Sequence, residues 1–222
     1  MAEAKKLVIF GDSIAKGVMF QDGRYHLCRA HDFDALAQQG VEVLNFAKMG
    51  ACTDTGLAIA KKQLELCQGA QVLLSFGGND CDFDWQAVSD HPDGVHLPKI
   101  PAEQFLENYR ALMDLVRQTA SRVWISSLVP LEAHRFLDHV SQGRSRENIL
   151  TWLGDTDHIF RWQEYYNDLV CKLARELSCP LLELRPEFLK HPAFPALLSM
   201  DGIHPTQKGH DVIHRCVAEA IF

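Results

Sequence analysis

Four short stretches of the 222-residue chain carry groups suited to acyl transfer. Phe10-Gly11-Asp12-Ser13 ends an apolar run and offers a hydroxyl. Asn45-Phe46-Ala47-Lys48-Met49-Gly50 ends a second run, and Gly50 presents an unobstructed backbone N–H. Gly77-Gly78-Asn79-Asp80 ends a third, where two glycines let the backbone bend sharply and Asn79 adds an amide donor. Near the far end, Asp201-Gly202-Ile203-His204-Pro205 sets a carboxylate and an imidazole three residues apart on a bend. A bond between them would fix the imidazole tautomer and raise the basicity of its other nitrogen. A hydroxyl, a His–Asp pair and three oxyanion donors (the Ser13 and Gly50 N–H groups and the Asn79 amide) are the parts acyl transfer requires. Each fragment alone has a plainer reading: Gly-Asp-Ser can cap a helix, and Asn-Asp is turn-prone.

The elements that must position these groups follow from apolar patterning. Five near-continuous apolar runs, Lys6–Phe10, Val41–Phe46, Gln71–Phe76, Arg122–Ser127 and Pro180–Leu184, read as strands buried on both faces. Helical spacing marks Thr53–Cys67, Ala102–Thr119, Ile159–Leu177 and Thr206–Ala220, with Pro101 placed to open the second. Alternating strands and helices predict a five-stranded parallel sheet covered on both sides, with right-handed crossovers. Strand order does not follow from the sequence. Ser13 is expected where the first strand turns into a helix, whose N-terminal amides favour an oxyanion.

Cys81–Pro101 and Leu128–His158 break the rhythm. Both read as long loops leaving the carboxyl ends of strands, where open α/β sheets bind ligands. They are expected to wall a pocket within one domain spanning residues 1–222. Trp85, Trp152, Phe160 and Trp162 would either line that wall, against a sugar or an acyl group, or pack the loops down. His91 and His96 are further candidates for the lining; with His134 and His139 they otherwise read as loop or solvated-face residues.

Taken together and in order, Ser13 in Gly-Asp-Ser, Gly50, Asn79 in Gly-x-Asn-Asp and His204 in Asp-x-x-His-Pro resemble the SGNH hydrolases, also called GDSL esterases and lipases. Ile14 stands where the family name has Leu, a conservative change; the Gly50 block is the loosest match. The resemblance implies a flavodoxin-like three-layer α/β/α fold and hydrolysis of carboxylic esters. It assigns Ser13 as nucleophile, His204 as general base and then acid, and Asp201 as the group orienting His204. The oxyanion hole would combine Ser13, Gly50 and Asn79. No cofactor or metal is expected.

Composition narrows the partners. Acidic residues exceed basic ones, 29 to 22, for a net charge of −7. That disfavours nonspecific nucleic-acid binding and docking on anionic membranes. Seven scattered cysteines without Cys-x-x-Cys read as reduced thiols, and the apolar run after Lys6 is too short for a signal-peptide core. A cytoplasmic location is the default expectation. Other signals are weaker. Asp80-x-Asp82-x-Asp84 lacks the glycine and glutamate of a calcium loop and reads as a solvated acidic turn. His210 and His214, four apart on the last helix, could pair on a metal but read more simply as surface histidines. Gly11–Gly17 fails the phosphate-loop pattern, and no Gly-x-Ser-x-Gly elbow occurs.

The expected substrate is a small soluble ester, with O-acetylated carbohydrates the first guess. Lysophospholipid or thioester hydrolysis and acyl transfer to a sugar use the same acyl-enzyme. A flavodoxin-like nucleotide-binding module is the reading from a different class.

Overall fold

The computed structural model describes residues 5–29 and 33–222. Residues 1–4, which precede the apolar run read as too short for a signal-peptide core, lie outside the described residues. The elements run β1 (Lys5–Gly11), β2 (Val18–Gln21), β3 (Arg24–Leu27), α1 (Asp34–Gln38), β4 (Val41–Asn45), α2 (Thr53–Gln63), β5 (Gln71–Ser75) and α3 (Trp85–Asp90). Then follow α4 (Ala102–Val116), β6 (Arg122–Ser126), α5 (Ala133–Val140), α6 (Arg146–Leu153), α7 (Asp157–Glu176), β7 (Leu181–Leu182), α8 (Leu184–Leu189), α9 (Phe194–Leu197) and α10 (Gln207–Ile221).

Five strands form one parallel sheet in the order β4-β1-β5-β6-β7. The chain therefore winds outward in both directions from β1, and the switch point lies between β1 and β5. Open α/β sheets carry their ligand crevice beyond the carboxyl ends of strands at such a point. This is the expected five-stranded α/β/α architecture.

Successive strand side chains face opposite sides of the sheet, which explains the unbroken apolar runs. Val8, Phe10, Val72, Leu74, Val123 and Ile125 pack with Tyr109, Leu112 and Met113 of α4 and with Tyr166 and Val170 of α7. Leu7, Ile9, Leu73, Trp124 and Leu182 pack with Phe188 of α8 and Val212, Ile213 and Val217 of α10. Burying each such side chain contributes roughly 1.5–3 kcal/mol before entropy is counted.

Three local expectations are corrected. No regular helix follows Ser13. A single helical turn closes through Lys16 N–H to Asp12 O at 3.0 Å, and then the chain enters the antiparallel β2–β3 hairpin. Asp22 and Gly23 form its tip with φ of 52° and 73°, the conformation an Asp-Gly hairpin turn demands. The two stretches read as loops contain helices, α3 in the first and α5 with α6 in the second. These helices share a third apolar cluster in which Phe83, Trp85 and Val88 meet Leu137, Ile149, Leu153 and Ile159. Their N-termini are capped locally, by Asp84 on α3, Glu132 on α5 and Ser145 on α6.

The bend before α10 is docked on α5 at Gly202. Its φ is +77°, and a Cβ there would lie 2.5 Å from Glu132 O and 2.6 Å from Phe136 N. Glu132 N–H donates to Gly202 O at 2.8 Å. Gly202→Ala combines a left-handed backbone with a backbone collision, so a loss of about 1–3 kcal/mol is expected. An unchanged urea midpoint would contradict this packing.

Candidate active site

Ser13 follows β1 by two residues, and His204 follows a bend near the other end of the chain. Ser13 Oγ donates to His204 Nε2 at 2.9 Å, and His204 Nδ1 donates to Asp201 Oδ2 at 2.6 Å. The carboxylate facing Nδ1 places the proton there, which leaves Nε2 as the acceptor. Asp201 is fully buried, and its other oxygen accepts the Ile203 N–H at 3.2 Å and the His204 N–H at 3.1 Å. The carboxylate is thus held by its own loop before it reaches the imidazole.

The bend is tied at both ends. Ser199 N–H donates to His204 O at 2.8 Å, and Thr206 N–H to Leu197 O at 2.8 Å. Thr206 then caps α10 through the Gly209 N–H. Phe20 N–H on the hairpin donates to Ser199 Oγ at 3.3 Å. Tyr25, on β3, stands edge-on to the His204 ring with centroids 5.3 Å apart. This hairpin cover was missed from the sequence, although Asp22-Gly23 between two short β-type runs is its signal.

Asn79, after β5, lines the cavity beside Ser13 and donates one amide hydrogen to Ala51 O at 3.2 Å. The second hydrogen is left for a ligand. Gly50 precedes Ala51 in a turn closed by Ala51 N–H to Lys48 O, and its φ of +75° is one that glycine adopts without strain. Among the described residues neither the Ser13 nor the Gly50 N–H has an intramolecular acceptor. Ser13, His204 and Asp201 are therefore brought into direct contact, with Asn79 at the same sheet edge. Gly50 joins this edge through its neighbour Ala51.

A cavity of about 100 Å³ opens beside Ser13 and Asn79. Phe83, Trp85, Leu131, Phe136, Leu153 and Trp162 make most of it apolar. Trp85 Nε1 donates to Asp82 Oδ1 at 2.7 Å and Trp162 Nε1 to Cys81 O at 2.9 Å, so both rings are fixed in place. Trp152 packs on Phe83, and Phe160 lies under the Arg185 guanidinium, outside the lining. His158 reaches the cavity; His91 and His96 do not, and His96 Nε2 instead bonds His91 O.

The acidic turn is not simply solvated. Asp84 caps α3, Asp82 pairs with Lys99 at 2.7 Å, and Asp80 is fully buried. Asp80 Oδ1 accepts the Thr53 N–H at 2.9 Å and its hydroxyl at 2.6 Å, while Oδ2 has no hydrogen-bond partner among the described residues. Burial pushes the Asp80 carboxyl up to about 6 against that hydrogen bonding. Burial likewise pushes Asp12 up to about 6, although the Ile14 N–H donates to its Oδ1 at 2.9 Å. Nor is His210 a surface residue: it is completely buried.

The fold is of the three-layer α/β/α class found in SGNH hydrolases. The profile of the GDSL-like Lipase/Acylhydrolase family matches residues 9–212. The chain belongs to this family and is a hydrolase acting on ester bonds. Comparison with curated protein sequences gives no match. Among solved structures, a catalytic mutant of an acetylxylan esterase from Geobacillus stearothermophilus superposes with a TM-score of 0.69 at 18% identity, over 100% of this chain and 95% of that one. The lipase/acylhydrolase from Enterococcus faecalis gives 0.65 at 18% identity, over 98% and 95%. An alpha/beta hydrolase enzyme from the metagenome of Lake Arreo, Spain, gives 0.66 at 22% identity, over 99% and 96%. These likenesses show the fold. Among the described residues no helix is long and apolar enough to cross a membrane.

The Asp80 shift gives a pH prediction. The folded chain binds this proton more tightly than an unfolded chain, whose carboxyl titrates at 3.8. Stability therefore falls as pH rises from about 4 through about 6, and the cost is complete above that. Asp80→Asn keeps the acceptor for Thr53 and removes the ionisation. Its stability relative to wild type should be greater at pH 8 than at pH 4, by about 2–3 kcal/mol. Urea titrations at the two pH values measure this; a pH-independent difference would contradict it.

Proposed function

We propose that the protein is a serine esterase that forms an acyl-enzyme on Ser13. The observation carrying this reading is the unbroken line of hydrogen bonds from Asp201 through His204 to Ser13 Oγ at the mouth of an apolar cavity. As Oγ attacks the ester carbonyl, His204 Nε2 takes its proton. Asp201 holds the ring in that tautomer and stabilises the imidazolium. The Ser13 and Gly50 N–H groups and the Asn79 amide meet the negative oxygen of the tetrahedral intermediate. His204 then returns the proton to the leaving alkoxide. Water, activated by the same nitrogen, releases the acid and regenerates Ser13.

The substrate we infer is a small soluble carboxylic ester whose acyl group enters the aromatic cavity. Phe83, Trp85, Phe136 and Trp162 supply apolar contact and offer few polar partners to a sugar hydroxyl. The likeness to an acetylxylan esterase supports the competing choice, an acetylated carbohydrate with its acetyl group at Ser13. The chemistry at Ser13 is the same for both.

Hydrolysis of p-nitrophenyl acetate, butyrate and octanoate separates these readings. Ser13→Ala and His204→Ala should each lose at least about 10³ in kcat. Asn79→Ala should lose about 10²–10³, mostly in kcat, because its donor strengthens in the transition state. The wild-type rate should fall on acidification, since a protonated His204 cannot accept the Ser13 proton. Butyrate should outpace acetate in kcat/KM. Equal activity in wild type and Ser13→Ala would overturn the mechanism, and a sharp preference for acetate would transfer the substrate to the carbohydrate class.

A further inference from the structure

A second cluster of chemically competent side chains lies outside the cavity that Ser13 opens into. His210 and His214 stand one turn apart on α10, and Cys28, just after β3, approaches them. One ligand atom from each, the cysteine sulfur and one ring nitrogen of each histidine, lies within 4.8 Å of the others. Cys28 and His210 are buried, and His214 is half-buried.

His210 identifies the cluster as more than a chance approach. Its Nε2 donates to Val18 O at 2.9 Å, which leaves the lone pair on Nδ1. That Nδ1 is fully buried and has no hydrogen-bond partner among the described residues. A buried acceptor left unpaired destabilises the fold unless a ligand meets it. A backbone carbonyl that orients one imidazole nitrogen and leaves the other for a ligand is the usual arrangement around a bound metal.

We propose that Cys28, His210 and His214 bind one Zn²⁺ ion. Two nitrogens and a sulfur suit Zn²⁺, which takes Zn–N bonds of about 2.0–2.1 Å and Zn–S bonds of about 2.3 Å in tetrahedral geometry. Those lengths separate ligands by about 3.5 Å, so no pair of the three donors, all within 4.8 Å, has to close by more than about 1.3 Å. Zn²⁺ displaces the Cys28 thiol proton to solvent, and water takes the fourth position. The Cys28 N–H already donates to Gly17 O at 2.8 Å, and the Phe33 ring covers His214 at 4.5 Å between centroids. The ion would clip the end of the β2–β3 hairpin to α10. Both flank His204, the hairpin through Tyr25 and α10 through the bend that precedes it. This assignment does not depend on the esterase reading.

The test uses protein stripped with a chelator and desalted, then titrated with ZnCl₂ calorimetrically and with CoCl₂ spectroscopically. Wild type should take one Zn²⁺ per chain, and its melting temperature should rise with Zn²⁺. Co²⁺ should give intense tetrahedral d–d bands with a thiolate charge-transfer band. Cys28→Ser should lose the charge-transfer band, and His214→Gln should weaken Zn²⁺ binding at least tenfold. His214→Gln is only half-buried, so it keeps the test valid if a change at buried Cys28 impairs folding. Zn²⁺ uptake by wild type no greater than by the Cys28→Ser/His214→Gln double variant, or a Co²⁺ spectrum without thiolate character, would overturn the proposal.

Discussion

The hydrogen bonds joining Ser13, His204 and Asp201 connect groups 191 residues apart in the chain. A contact between such distant segments exists only if two separate turns are each held rigidly. On the Ser13 side, β1 is one of the two strands that border the switch point, and Asp12 fixes the next turn through the Ile14 N–H. On the His204 side, the Asp201 carboxylate closes its own turn, Gly202 seats the bend on α5, and Thr206 starts α10. The imidazole is therefore positioned by backbone on both sides, and it need not be held by its partners alone. A small displacement of either turn would lengthen a bond on which proton transfer depends.

The same edge of the sheet concentrates unfavourable groups. Asp12 and Asp80 are buried carboxyls at the carboxyl ends of β1 and β5, and burial raises both. Asp80 keeps an oxygen without a hydrogen-bond partner among the described residues. Such costs are tolerated where the surrounding structure is overdetermined, here by two complete apolar layers on the sheet faces and a third cluster formed by α3, α5, α6 and the start of α7. That third cluster also shapes the cavity, since Phe83, Trp85, Phe136 and Leu153 belong to both. Packing of the insertions and the form of the pocket are one feature.

The strands were legible because burial on both faces leaves unbroken apolar runs such as Leu7–Phe10 and Val72–Leu74. Ser13, Asn79 and His204 stood out because each closes such a run or precedes a helix. The hairpin was not recognised: its strands are four residues each and largely exposed, so only Asp22-Gly23 marks it. Nor were α3, α5 and α6, which bury their apolar faces against one another amid prolines and glycines that suggest loops. Their caps Asp84 and Ser145 were local clues. Strand order and the approach of Cys28 to His210 depend on tertiary packing and have no local signature. The burial of His210 likewise depends on the hairpin laid across α10.

Covalent labelling separates a reactive Ser13 from a merely hydrogen-bonded one. A fluorophosphonate reacts with a serine only when a base has taken its proton and donors hold the developing negative oxygen. After incubation with one equivalent, peptide mass spectrometry should locate a single adduct on Ser13, and His204→Ala protein should remain unlabelled. An adduct on a different residue, or ester hydrolysis that persists in fully labelled protein, would contradict the account.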